Sequence, residues 1–103
     1  MMRRVVVTGL SVISALGTGT EKNWDALMAG ESGVDLITRF DASQLPTQIA
    51  GEVKDFRPEE FLEKKELRKI DTFIQYAIAA TGYALTDSGL EITEENAERV
   101  GVL

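Results

Sequence analysis

An α/β fold built on a parallel sheet is what this sequence predicts, and three segments carry the prediction. Near the start, "RRVVVTG" sets Val5, Val6 and Val7 in a row before Thr8 and Gly9, the continuous apolar run of a strand buried on both faces. Between Ile70 and Leu85, apolar and small residues recur with the helical period, and the middle of that stretch is almost free of charge. At the other end, "ERVGVL" opens a second run of the inner-strand type. Strands of that type need helices above and below them.

Taken in order, the first strand passes through the loop "LSVISALG" into a helix. Thr18 followed by Glu21 fits the capping box, in which the hydroxyl accepts from a free backbone N–H and the carboxylate reaches back. Trp24, Leu27 and Met28 make the apolar stripe of that helix, and Gly30 stands where a left-handed residue would end it. From Ser32 to Asp55 the pattern is mixed: "RFDAS" and "LPT" carry turn chemistry, and "QIAGEV" offers at most one short strand interrupted by Gly51. Pro58 suits the first position of a helical turn. The strongest element follows, with Ile70, Phe73, Ile74, Ala77, Ile78, Thr81, Ala84 and Leu85 on a wide stripe and Gly89 as its stop, so this helix is expected to be buried on more than one side. Val100 to Leu103 then begin a strand that meets no turn signal. The expectation is that residues 1–103 are one continuous piece of a larger α/β domain, with no internal boundary, repeat or linker.

Composition narrows the chemistry. With 44% hydrophobic and 27% charged residues the chain is of ordinary globular type, and it lacks both a signal-peptide pattern and an apolar run near membrane-spanning length, which points to the cytoplasm. A formal net charge of −6 argues against broad binding to nucleic acid or to anionic membranes. No cysteine and no histidine occur, so the commonest nucleophile, general base and metal ligands are missing from these residues. No metal or cofactor site is expected.

A strand followed by Thr8 and Gly9 invites a dinucleotide reading, but the glycine spacing fails. Ser11 and Ser14 occupy the places that Gly9 would require, and Lys22 stands where Gly17 and Gly19 would need a third glycine. Thr8, Ser11 and Ser14 have no histidine to activate them and read as turn and packing residues. The groups Glu59, Glu60, Glu63 and Glu94, Glu95, Glu98 read as solvated faces.

One segment resists the acidic average. "FLEKKELRKID" gathers Lys64, Lys65, Arg68 and Lys69, four of the eleven positive charges. On a continuous helix they would share one face, with Glu60 pairing Lys64 and Glu66 reaching Lys69, whereas Lys65 and Arg68 would be left without compensation. Like charges at such spacing cost a few tenths of a kcal/mol, roughly, which an acidic partner could offset. Both readings stand on the residues alone: a solvated basic face, or a docking patch.

The ordered segments "RRVVVTGL", "NWDALMAGESGV", "FDAS", "AGEVKDF", "KKELRKIDTFIQYAIAA" and "DSGLEITEENAERVG" resemble the N-terminus of β-ketoacyl-acyl-carrier-protein synthases, the synthase II type of bacterial fatty-acid synthesis, over the whole chain. Ser11 departs from the family's usual glycine and Ala15 from a common proline, both within one loop. The resemblance implies the thiolase-like fold, an αβαβα sandwich of two similar halves in a homodimer, of which this chain would be the beginning of the first half. It implies decarboxylative Claisen condensation through an acyl-cysteine assisted by two histidines, without a cofactor. None of those three residues lies here, so no catalytic residue is assigned to this chain, and the piece alone is expected to be inactive. Carried over residue by residue, Lys65, Arg68 and Lys69 would dock the acidic helix of acyl carrier protein, and Lys64 beside them is counted in the same docking patch. A non-catalytic scaffold or chain-length factor that binds the carrier is the alternative, and a nucleotide-dependent oxidoreductase would need the glycine spacing that is absent.

Overall fold

The N-terminal valines pair with no strand among the described residues. In the computed structural model, which describes residues 2–103, Val5, Val6 and Val7 lie outside every strand and are 96%, 71% and 82% exposed. Val100 to Leu103 are likewise in no ladder, and Val102 and Leu103 project into solvent. Neither expected inner strand is therefore formed. A strand needs a neighbour to take up its N–H and C=O groups, and no described segment pairs with either run.

The sheets that do form are small and antiparallel. Strands β1 (Ile13–Ser14) and β2 (Gly17–Thr18) make a tight hairpin, in the loop where no strand was expected. Strands β3 (Val34–Leu36) and β4 (Ile49–Gly51) pair with Val34 opposite Gly51 and Leu36 opposite Ile49. The short strand read in "QIAGEV" is thus present as β4, while its partner β3 lies in the stretch read as irregular.

Helix α1 (Thr20–Met28) starts later than the capping box requires. Gly19 is the N-cap and no side chain caps the helix, because the Thr18 hydroxyl donates to Asp55 Oδ1 at 3.0 Å instead. Its C-terminus follows the expectation: Gly30 has φ 68°, its N–H donates to the Leu27 carbonyl, and the Glu31 N–H donates to the Ala26 carbonyl at 2.9 Å. This pair of bonds is the Schellman arrangement, and a left-handed residue without a Cβ is what it needs. The face that α1 buries is different from the one expected. Asn23 and Ala26 are buried, whereas Trp24, Leu27 and Met28 are mostly exposed. The Asn23 amide reaches the carbonyls of Gly17 and Gly19, each at 2.8 Å, and the small Ala26 permits the close approach this demands.

The long helix is α3 (Thr72–Ser88), which ends on left-handed Gly89 as its sequence predicts. Within it only Ala79 is fully buried, and Phe73 is 69% exposed, so the expected double-sided cover is absent among the described residues. Between β4 and α3 run a 3₁₀ turn at Pro58–Glu60 and a one-turn helix, α2 (Lys64–Leu67). A last 3₁₀ turn spans Ala97–Arg99.

Among the described residues, Ala26, Ala42 and Ala79 are the buried apolar ones, and the Cα radius of gyration is 17.4 Å, against about 13 Å for a compact chain near this length. The residues form an open layer of 58 × 37 × 22 Å with apolar side chains on its surface.

Candidate functional site

The basic segment rests on an aromatic base. Phe56 meets Tyr76 edge-on with centroids 4.9 Å apart, Phe61 meets Tyr83 edge-on at 5.1 Å, and the two phenylalanines are stacked at 6.2 Å. Tyr76 and Tyr83 lie on one side of α3 because seven residues make almost two helical turns. They hold the chain from Phe56 to Phe61 against that helix. Arg39 adds a polar tie, donating to the Tyr76 hydroxyl at 2.8 Å and to the Val53 carbonyl at 3.1 Å. This contact with Tyr76 holds the guanidinium pKa above its ordinary value.

Past Phe61 the chain does not run on as one helix. Glu63 is extended, with ψ 147°, and its carbonyl accepts from Glu66 and Leu67 to start α2. Lys64 and Lys65 open that single turn, Arg68 caps it, and Lys69 follows in the bend before α3. All four cations are exposed. Lys69 pairs with Glu66 at 3.4 Å, as its spacing predicts. Among the described residues the expected pair of Glu60 with Lys64 is not formed, because Glu60 belongs to the separate 3₁₀ turn and the extended Glu63 breaks the i, i+4 geometry. Among the described residues, Lys64, Lys65 and Arg68 have no acidic partner, so the cluster is even less compensated than a continuous helix would leave it.

The carbonyls that flank Arg68 and Lys69 are held from α3. The Gln75 side-chain amide lies 3.4 Å from both the Leu67 and the Ile70 carbonyl oxygens. The Asp71 carbonyl meanwhile accepts the first free N–H groups of α3, from Ile74 and Gln75. Nothing in the spacing of the sequence marks Gln75 or the ring pairs as partners of the basic segment. Only the fold brings them together.

Elsewhere the polar clusters serve the scaffold. Ser14, the last residue of β1, donates to Asn23 Oδ1 and accepts from the Leu16 N–H at the hairpin turn. Lys22 and Thr18 converge on Asp55, and the Lys22 ammonium, followed by the Thr18 hydroxyl, holds that carboxyl below its usual range. Buried Glu52 accepts from the Thr38 hydroxyl at 2.8 Å and from the Thr38 and Arg39 N–H groups; chiefly through Thr38, its pKa is lowered. No grouping of three or more potential metal ligands occurs among the described residues, and no helix among them is long and apolar enough to cross a membrane.

Comparison with known proteins places the chain in a family. The family described as Beta-ketoacyl synthase, N-terminal domain, matches residues 2–103. Over 100 residues, 97% of this chain, it is 58% identical to the 3-oxoacyl-[acyl-carrier-protein] synthase 2 of Coxiella burnetii. It is 57% identical over the same length to the protein of that name from Vibrio harveyi. The chain spans 24% of each of these relatives. Among solved structures, the one titled "The ishigamide ketosynthase/chain length factor" superposes with a TM-score of 0.78 and 44% identity, covering 91% of this chain and 23% of that one. At that similarity the α/β, thiolase-like fold holds, although its inner strands are not paired within these residues. The chain belongs to the β-ketoacyl synthase family, and residues 2–103 fall within that family's N-terminal domain.

Proposed function

We propose that the full-length protein is a condensing enzyme of bacterial type II fatty-acid synthesis, elongating acyl-ACP with malonyl-ACP. In that reaction an acyl group on a cysteine thiolate is attacked by the enolate carbon released when malonyl-ACP loses carbon dioxide. The new carbon–carbon bond forms as the thioester breaks and the thiolate leaves. No cysteine or histidine is present in these residues, so they contribute scaffold and partner recognition rather than reacting groups.

Lys64, Lys65, Arg68 and Lys69 are the carrier-docking residues in this reading, and the observation that supports it is an exposed basic cluster three of whose members have no acidic partner among the described residues. Acyl carrier protein is the acidic partner it would fit. Exposed ion pairs contribute only about 0.2–1 kcal/mol each, so the patch acts mainly on association rate and orientation. The scaffold alternative is less supported, since the curated relatives share the synthase name. A homodimer in the cytoplasm is the setting that goes with this function.

The test is reconstitution. Full-length protein incubated with acyl-ACP and malonyl-ACP should release carbon dioxide and yield the 3-oxoacyl-ACP two carbons longer, and binding of acyl-ACP without any product would favour the scaffold.

A further inference from the structure

We propose that Phe61 and Gln75 are positioning residues for docking of the anionic carrier, clamping the two ends of the basic segment to α3. The inference rests on the docking role given above to Lys64, Lys65, Arg68 and Lys69. It begins from the length of α2: four residues make one turn, far below what holds a helix in water without tertiary support. The direction in which its cations point must come from what the turn is fastened to.

Two fastenings are present, one at each end. Before α2, the half-buried Phe61 packs edge-on against Tyr83 at 5.1 Å and lies parallel to Phe56, itself seated on Tyr76. After α2, the half-buried Gln75 places its amide 3.4 Å from the carbonyls of Leu67 and Ile70, the residues on either side of Arg68 and Lys69. Tyr83 and Gln75, the points to which both ends are fastened, lie on α3, the longest element among the described residues, so the cations inherit their bearing from a rigid rod. No other side-chain hydrogen bond of the described residues joins residues 61–70 to α3.

Loosening a clamp leaves every charge in place. Long-range attraction, and with it the dependence on salt, depends on the charges, whereas the docked register depends on their orientation. The two kinds of variant therefore have different signatures.

Phe61→Ala and Gln75→Leu, made in the full-length protein, are compared with the double variant Lys65→Glu, Arg68→Glu. The readouts are KM for acyl carrier protein substrate across a salt series, turnover of an acyl thioester of a small thiol, and Tm. Each clamp variant is expected to raise KM for the carrier-bound substrate about three- to tenfold, the scale of one aromatic pair or one hydrogen-bond pair. Its salt slope and its turnover of the small thioester should stay at the wild-type values, and Phe61→Leu should recover part of the loss. The charge-reversed variant should raise KM and flatten the salt slope. If charge reversal raises KM while both clamp variants leave it unchanged, the inference is overturned and the docking role stands. Should charge reversal also leave KM unchanged, the docking role itself fails. A clamp variant that loses turnover equally with both substrates is merely destabilised, which also overturns the inference; Gln75→Leu, a smaller change in side-chain volume, guards against Phe61→Ala failing to fold.

Discussion

From within the first turn and a half of α1, the Asn23 side-chain amide donates to the Gly17 carbonyl at 2.8 Å. The same nitrogen lies 2.8 Å from the Gly19 carbonyl, and the Asn23 oxygen accepts from Ser14, so one buried side chain ties the β1–β2 hairpin to the helix. Replacing Asn23 with Ala or Leu would take the side-chain donor from the buried Gly17 carbonyl, while the Gly19 carbonyl keeps the backbone N–H of residue 23. A loss of about 1–3 kcal/mol follows, because a buried acceptor then bears its desolvation cost unrelieved. Urea titration of the full-length Asn23→Leu variant should show a lowered midpoint, and a midpoint equal to wild type would contradict the role given to this amide.

A second prediction concerns Gly9. A Cβ at that position would stand 2.5 Å from the Ala84 carbonyl oxygen and 2.6 Å from the Ser88 nitrogen, because the N-terminal segment crosses the end of α3 there. Leu10 N–H donates to Asp87 beside the crossing at 3.0 Å. Gly9→Ala must push backbone against backbone, which costs about 1–3 kcal/mol. Thermal unfolding checks it, with Gly101→Ala as the control, since an added Cβ there meets nothing within 4 Å.

The acid limb of stability should depend on Glu52 and Asp55. Both carboxyls have folded pKa values lowered by hydrogen-bond donors, Thr38 for Glu52 and Lys22 for Asp55. A lowered folded pKa means that the unfolded chain takes up protons first as pH falls. The stabilisation is then complete above the unfolded carboxylate values, near pH 4, and is lost as pH drops through the folded values. Glu52→Gln and Asp55→Asn should flatten the decline in Tm from pH 5 to pH 3. An unchanged slope in both variants would contradict the assignment.

How much of this was legible in the sequence depends on how local each signal is. The stops at Gly30 and Gly89 were readable because a left-handed cap is a property of one residue and its neighbours. The body of α3 was readable for the same reason. The capping box at Thr18 failed because Asp55, far along the chain, takes its hydroxyl. β3 was missed because three residues opposite Ile49–Gly51 give no alternation to detect. The expected stripe of Trp24, Leu27 and Met28 faces solvent because the amide of Asn23, not apolar area, decides which side of α1 turns inward. As for the site, the four cations stood out by composition, while Phe61 and Gln75 became partners of that segment only through tertiary placement.

The exposed apolar surface leads to a further expectation. Val5 to Val7, Trp24, Phe73 and Val102 all lie open, and a chain showing so much apolar surface and unpaired backbone should associate. Expressed by itself, the 103-residue polypeptide should bind a hydrophobic dye and sediment as concentration-dependent oligomers. A monomer that excludes the dye and unfolds cooperatively would contradict the open layer described above.

Recognition of an acidic carrier by Lys65 and Arg68, the role proposed above, is tested most directly by reversing both charges. In the full-length protein, Lys65→Glu with Arg68→Glu should raise KM for carrier-bound acyl substrate at low salt by about tenfold or more, as two lost pairs and added repulsion require. Single-turnover chemistry, once substrate is bound, should keep its rate. A KM unchanged at low salt would contradict the account.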